Sequence, residues 1–447
     1  MIYLDHAAAT PVDKRVLEAM MPYYTDEFYN PSAAYLPAKK VASDYENAKG
    51  TIAHAIGAKA SDIVITAGAT EANNLAFTSL YTEQISHSSP RRSRLSTEVA
   101  DPSSSRKNEP VRSSLVSSGH LPQGERAKSR AAALRNAPSR DICSVLYLVT
   151  EHDSVRRVAE RLGGEAVGVL PNGLIDLDDL RRKITDETEL ISIALVNNEL
   201  GTIQPLAEVA QIIREVKIDR MKRGIRRQLL LHSDASQALN LLDVSVARLG
   251  VDLMTLNAAK VYGPKGVGAL YVSHDAKLSP LTVGGGQENG LRSGTENVPG
   301  VIGFAKAVEL AHGHLNGNRK KYASWRKALL SELVGYELIN KKHAVDNFVT
   351  ICYDGIDAER LVFLLEEQGV YVATGAACAA SKGVRSHVLA AIGLSESQIA
   401  GSLRLTLGET NDEVQIHEAA RVINQTVNKE RARVKTVDYG DSIAHRH

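Results

Sequence analysis

Five polar segments stand where apolar runs end, and they hold the side chains best suited to chemistry. They are GATEANN (68–74), EHDS (151–154), NNELG (197–201), SDASQ (233–237) and NAAKVYGPKG (257–266). Asp234 closes the apolar run QLLLHSD. A carboxylate there is costly to bury without a cationic partner. A protonated pyridine nitrogen would be such a partner, and pairing would keep that ring an electron sink; a helix N-cap is the plainer role. Gln237, further along the same segment, could hydrogen-bond a phenolic oxygen of the ring. Lys260 lies between Ala258-Ala259 and Gly263-Pro264-Lys265-Gly266. Small neighbours let a flat ligand approach. A lysine near another cation or in a dry pocket has a lowered pKa and can form a Schiff base. A surface lysine before a turn is the alternative.

Gly68-Ala69-Thr70 sits between a strand pattern and a helix pattern. Free N–H groups at such a helix start, with the helix dipole, would hold a phosphate; the bland reading is an N-cap by Thr70. His152 could stack on a ring and move protons near neutral pH, or be structural. Arg404 lies in the alternating segment GSLRLTLGE. It could clamp a carboxylate with two parallel hydrogen bonds, or belong to a structural ion pair. Cys378 sits in ATGAACAAS, a permissive run of small residues that suits a thiol that must swing. A cysteine among alanines is otherwise a small buried hydrophobe.

These groups need a scaffold, and the chain is long enough to supply one. Its 447 residues point to two or three domains. A hydrophobic share of 43% and a charged share of 23% suit a soluble globular protein. The net charge of +1 predicts no nucleic-acid or anionic-membrane partner. Three cysteines argue against a disulfide framework and fit a reducing compartment. The start MIYLDHAAATP does not read as a signal peptide, and no apolar run approaches the roughly 20 residues of a membrane helix. The expected location is cytoplasmic.

Hydrophobic periodicity predicts helices over 12–24 and 36–57, then a strand at 62–66 and a helix from 71. Residues 86–140 are rich in Ser, Arg and Pro and hold no aromatic residue. Such a segment cannot bury enough apolar surface to offset its ordering entropy, so it is expected to be a disordered insertion. Strands are expected at 142–150, 165–170, 189–197, 228–234, 251–257 and 268–272, with helices at 153–162, 176–184 and 206–222 between them. This alternation is the pattern of an α/β domain with a largely parallel sheet. Ligands in such sheets sit at the carboxyl ends of the strands. From about 300 the pattern changes to a long helix (301–334), strand FVTICYD, helix 358–367, strand VYVAT and a last helix from 411. That fits a smaller α+β domain.

Taken together, the motifs resemble the cysteine desulfurases, fold-type I pyridoxal-phosphate enzymes of the class V aminotransferase type that supply sulfur for iron–sulfur clusters and tRNA thiolation. YLDHAAATP, GATEANNLA, EHDSV, VNNELGTIQP, HSDASQ, KVYGPKGVGALYV, GGGQENGLRSGTEN and SLRLTLG fall in the family's order. The resemblance covers nearly the whole chain apart from 86–140, and the loop between Cys378 and HVLAAIGL resembles the subgroup with a longer, mobile cysteine loop. It implies a large cofactor domain over 12–285 with a mainly parallel, seven-stranded type of sheet. The smaller domain would be 1–11 with 286–447 and would carry the cysteine loop.

By this resemblance Lys260 would hold pyridoxal 5'-phosphate as a Schiff base, and Asp234 would pair with its pyridine nitrogen. Gln237 would bind the phenolic oxygen, and His152 would stack on the ring. Asn198 would lie near cofactor and substrate. Ala69, Thr70 and Thr295 would help hold the phosphate, Thr295 across a dimer interface. Arg404 would bind the carboxylate of L-cysteine. Cys378 would carry the persulfide and pass it to an acceptor protein, an iron–sulfur scaffold or a tRNA-thiolation protein; it could also ligate a transient iron–sulfur cluster during transfer. No resident metal, direct nucleic-acid partner or membrane is implied.

The chain departs from the family where Ser-Gly-His usually precedes the lysine. Asn257, Ala258 and Ala259 stand there, and Ala259 cannot donate to a phosphate. Losing one charged-group hydrogen bond costs about 1.5–3 kcal/mol. NPSAAYLP replaces a segment that usually carries a second Ser and a His, and Ala376, Ala379 and Ala380 stand where Ser or Thr is frequent. Two alternatives remain open at this level: a selenocysteine lyase-like enzyme, and a cofactor-poor homologue acting as a binding or scaffold subunit.

Overall fold

The computed structural model describes residues 1–80, 144–375 and 385–444. The expectation for 86–140 and the position of Cys378 lie outside the described residues. The chain opens with β1 (Ile2–Tyr3) and then builds its main sheet from β2 (Ile63–Thr66), β3 (Ser144–Leu148), β4 (Glu165–Val167), β5 (Thr188–Ser192), β6 (Leu230–Asp234), β7 (Leu253–Asn257) and β8 (Gly268–Val272). The order across the sheet is β2-β8-β7-β6-β5-β3-β4. Pairs among β3, β4, β5, β6 and β7 are parallel, and β8 runs antiparallel to both β2 and β7. Two antiparallel steps leave β2 pointing the same way as β7. The carboxyl ends of β2, β3, β5, β6 and β7 therefore share one edge of the sheet. The expected α/β class and largely parallel seven-stranded sheet are present.

The strands form where β-branched and leucine-rich runs bury both faces, as in IVIT and LLHSD, whose residues are all buried. Helices cover them: α1 (Lys14–Met20), α2 (Pro22–Thr25), α3 (Leu36–Ala55), α4 (Ala69–Ala76), α5 (Asp153–Arg161), α6 (Leu177–Lys183), α7 (Leu206–Lys222) and α8 (Val246–Leu249). The long α9 (Val298–Glu332) packs along α3 and α1. Beyond it, β9 (Glu337–Leu338), β10 (Phe348–Cys352), β12 (Ala373–Thr374) and β13 (Ser402–Thr406) form a four-stranded sheet, while β11 (Val370–Tyr371) pairs with β1. The remaining helices are α10 (Ala358–Glu366), α11 (His387–Ala391), α12 (Glu396–Ala400) and α13 (Glu413–Ala444). No helix among the described residues is long and apolar enough to cross a membrane.

One departure from the sequence expectation, and one non-local tie, bear on the site. The strand expected at 189–197 ends at Ser192. The buried carboxylate of Glu151 accepts the Ala194 N–H at 2.7 Å, and Asn197 N–H turns to Thr202 O. Ile193 and Leu195 still donate to His232 O and Asp234 O of β6, while the alternate residues Ala194, Val196 and Asn198 line a cavity. The edge strand β2 is also tied down: Glu288 accepts the Ile65 N–H at 2.8 Å, the Tyr45 hydroxyl at 2.5 Å and Lys49 Nζ at 3.2 Å. This buried cluster pins the glycine-rich loop before α9 to the edge of the sheet.

Candidate active site

A cavity of about 840 Å³ opens at the carboxyl edge of the main sheet. It lies within the range usual for small-molecule sites. The turn after β2 and the start of α4 bring Ala69 and Thr70 to its wall, and Gly68 lies beside them. Gly68, not Thr70, occupies the N-cap position; it has φ 141° and offers no side chain. The N-terminal N–H groups of α4 are therefore not closed off by a side-chain cap. Thr70 lies inside the helix, which corrects the N-cap reading. Gly268 matters to the same turn, because a Cβ there would meet Gly68 Cα at 2.8 Å.

Asp234 ends β6 and is 8% exposed. Its Oδ1 accepts the Ser236 N–H at 2.9 Å, and its Oδ2 accepts from Asn73 Nδ2 at 2.8 Å. Gln237 follows on the same turn and donates to Ala7 O at 2.9 Å. Lys260 ends a short 3₁₀ turn after β7, and its Nζ donates to Ala7 O at 2.7 Å and Ala8 O at 2.5 Å. The N-terminal segment thus supplies acceptors to two of the expected site residues. Thr10 strengthens this contact by bonding Ala259 O and accepting the Tyr262 N–H. Asn257 also lines the cavity, and its Oδ1 accepts the Ala259 N–H at 3.1 Å. The oxygen is committed to that turn, so only the amide nitrogen can serve as a donor elsewhere.

His152 caps α5 and lines the same cavity. Asn198 lines it as well, and its backbone oxygen accepts from Arg404 Nη1 at 2.8 Å. Arg404, 3% exposed, pairs with Asp5 at 2.6 Å and reaches the cavity wall. The two sequence readings of this residue therefore coexist: it belongs to an ion pair, and it faces a place where a carboxylate could bind. Its Nε has no hydrogen-bond partner among the described residues.

Thr295 does not reach this cavity within one chain. It lines a separate space of about 140 Å³ that also touches Ala67 and Gly266. Cys378 lies outside the described residues. Cys352 is buried, donates its Sγ–H to Gln398 O and has its thiol pushed up to about 11 by burial, so it is not fit to act as a nucleophile.

Residues missed by sequence reasoning complete the site. Asp5, Ala7, Asn73 and Ser154 each hold an expected site residue, and all lie within motifs that were noticed for other members. Glu151 and Glu199 are two more. Burial and the nearby charge of Asp234 push the carboxyl of Glu151 up to about 8. Burial pushes that of Glu199 to about 7, while Ser386 and Arg404 oppose the rise. Ser386 donates to Glu199 at 2.5 Å, and His387 Nε2 bonds to Glu151 O at 2.9 Å, so α11 is fastened to the site.

Glu151 yields a prediction about pH. Its folded pKa lies above the usual 4.5, so the fold favours the neutral acid. The stability it contributes is complete below the unfolded value and is lost as pH rises through about 8. Glu151→Gln should therefore flatten the fall of Tm between pH 4.5 and about 8, leaving the variant several degrees above wild type beyond that range. Thermal melts across pH would show this. Parallel curves for the two proteins would contradict it.

Comparison with known proteins identifies the family. A family profile described as Aminotransferase class-V matches residues 2–89 and 128–418. A curated relative, cysteine desulfurase IscS of Methanosarcina thermophila, is 33% identical over 96% of this chain and 92% of its own length. A solved structure described as a NifS-like protein superposes with a TM-score of 0.75 at 27% identity, covering 96% of this chain and 99% of the other. Another, described as SspA in complex with cysteine, gives a TM-score of 0.70 at 29% identity over 91% of this chain and 99% of the other. With full-length likeness in sequence and fold, the chain belongs to the class-V aminotransferase family and, within it, to the cysteine desulfurases.

Proposed function

We propose that this chain removes sulfur from L-cysteine, releases L-alanine and carries the sulfur as a persulfide on Cys378. The observation that carries the reading is the meeting of a lysine amine, a strand-end carboxylate and a buried guanidinium on one cavity. Their chemistry fits pyridoxal 5'-phosphate. Lys260 would hold its aldehyde carbon, Asp234 its pyridine nitrogen, Gln237 its phenolic oxygen and the start of α4, with Ala69 and Thr70, its phosphate. Asn257 Nδ2 is a further donor for that phosphate, and Ala259 offers none. When bound, this cofactor supplies an electron sink for charge developing on the substrate.

The chain's own groups do the rest. Arg404 binds the substrate carboxylate beside Asn198. Lys260 Nζ takes the α-proton and returns a proton to the product. Asp234, oriented by Asn73 and the Ser236 N–H, keeps its negative charge aimed at one place. The Cys378 thiolate attacks the substrate sulfur; an S–S bond forms as the carbon–sulfur bond breaks, and its electron pair stays on the carbon that becomes the alanine methyl. The persulfide then passes to an acceptor, an iron–sulfur scaffold or a tRNA-thiolation protein. The working unit is a cytoplasmic homodimer in which Thr295 serves the partner's phosphate site. Residues 12–285 act as the cofactor domain, and 1–11 with 286–447 as the smaller one.

Purified protein supplied with pyridoxal phosphate should turn yellow and release alanine and sulfide from L-cysteine with a thiol reductant present. A protein that stays colourless at saturating cofactor would instead support a scaffold role.

A further inference from the structure

Asn73 is fully buried, and its Nδ2 lies 2.8 Å from Asp234 Oδ2 and 2.8 Å from Ser154 Oγ. An amide can meet a carboxylate oxygen only through its nitrogen, so the orientation of this side chain is set. Both Nδ2 hydrogens are then committed, one to Asp234 and one to Ser154. Ser154 Oγ accepts, and its own proton points to the next polar atom, His152 Nδ1, at 2.9 Å. The backbone N–H of Ser154 is aimed at the same Nδ1 from 3.1 Å. That N–H belongs to the first turn of α5 and cannot rotate away. Two donors converge on Nδ1, so Nδ1 must offer its lone pair. A proton placed there would confront the backbone hydrogen. The ring proton is left on Nε2.

We propose that Asn73 and Ser154 are positioning residues that fix His152 as its neutral Nε2–H tautomer, making it a hydrogen-bond donor and not a base at that atom. The chain of bonds begins at Asp234, so the group expected to face the cofactor nitrogen also sets the state of the ring expected to face the cofactor plane. The proposal rests on the desulfurase reading for its use, though not for its geometry. Asn73 also orients Asp234 and Ser154 lines the cavity, so the tautomer of His152 is the readout specific to this role.

The test is histidine tautomer assignment by two-bond ¹H–¹⁵N correlation on the full chain labelled at histidine, with and without bound pyridoxal phosphate. The His152 signals are identified by their loss in His152→Gln. The expected result near neutral pH is an unprotonated Nδ1 and a protonated Nε2 in both samples. Ser154→Ala should shift the tautomer ratio by about tenfold toward Nδ1–H, the worth of one neutral hydrogen bond, and Ser154→Thr should restore it. A wild-type ring protonated on Nδ1, or a ratio unmoved by Ser154→Ala, would overturn the proposal. Alanine release measured on the same samples separates the two claims: the tautomer can fail while turnover stands, and the reverse.

Discussion

Lys260→Ala should lower alanine release from L-cysteine by about 10²–10⁴-fold, the usual worth of a positioned proton-transfer group, with loss of covalent cofactor retention added to it. The amine stands at the end of β7 on a turn whose backbone is held on both sides. Ala258 is fully buried, and Thr10 bonds Ala259 O. Removing the side chain leaves that frame intact. Ala7 O loses one donor and keeps the other, from Gln237 at 2.9 Å. The variant should therefore fold, melt close to wild type and bind pyridoxal phosphate reversibly, removable by gel filtration where wild type keeps its colour. Steady-state alanine assays and the absorbance of the desalted protein check the two parts. Activity within a few-fold of wild type would remove Lys260 from the chemistry.

Arg404→Gln should raise the KM for L-cysteine on the order of 10²-fold. Truncating one partner of a buried, hydrogen-bonded charge pair costs about 2–5 kcal/mol, and each 1.4 kcal/mol is a factor of ten. The guanidinium is 3% exposed and held at 2.6 Å by Asp5 and at 2.8 Å by Asn198 O. It is thus oriented before any substrate arrives, and little side-chain ordering remains to be done on binding. The glutamine keeps one donor for Asn198 O but leaves Asp5 without its cation, so a Tm lower by a few degrees accompanies the kinetic loss. The KM should carry most of the effect, because a carboxylate is held alike in the ground and transition states. A fall in kcat with KM unchanged would show that Arg404 serves the fold through Asp5 and not the substrate.

The strands were legible because their cause is local. IVIT and the three leucines at 229–231 are apolar runs with polar segments behind them, and the carboxyl-edge rule then places those segments together. What could not be read is non-local. Arg404 and Asp5 are 399 positions apart, and Glu288 reaches the Ile65 N–H across 223. No periodicity carries such pairings. The early end of β5 has the same origin, since it depends on Glu151 capturing the Ala194 N–H from another strand's turn. Thr295 lines a different space from the other residues expected at the phosphate, and only the resemblance implies a partner chain for it. Asn73 and Ser154 sat inside noticed motifs, yet their roles appear only when β2, β3 and β6 are brought to one edge. The substitution at Ala259 is plain in sequence. The fold adds that its N–H is used locally by Asn257, so that turn keeps its shape without the usual side chain.

The central claim is sulfur transfer to Cys378, and peptide mass spectrometry after brief exposure of the holoenzyme to L-cysteine without reductant tests it most directly. The peptide containing Cys378 should gain the mass of one sulfur atom, while those containing Cys143 and Cys352 should not. Cys378→Ser should keep the cofactor colour and lose the added sulfur. Sulfur found on another cysteine, or alanine release that is equal in wild type and Cys378→Ser, would contradict the account.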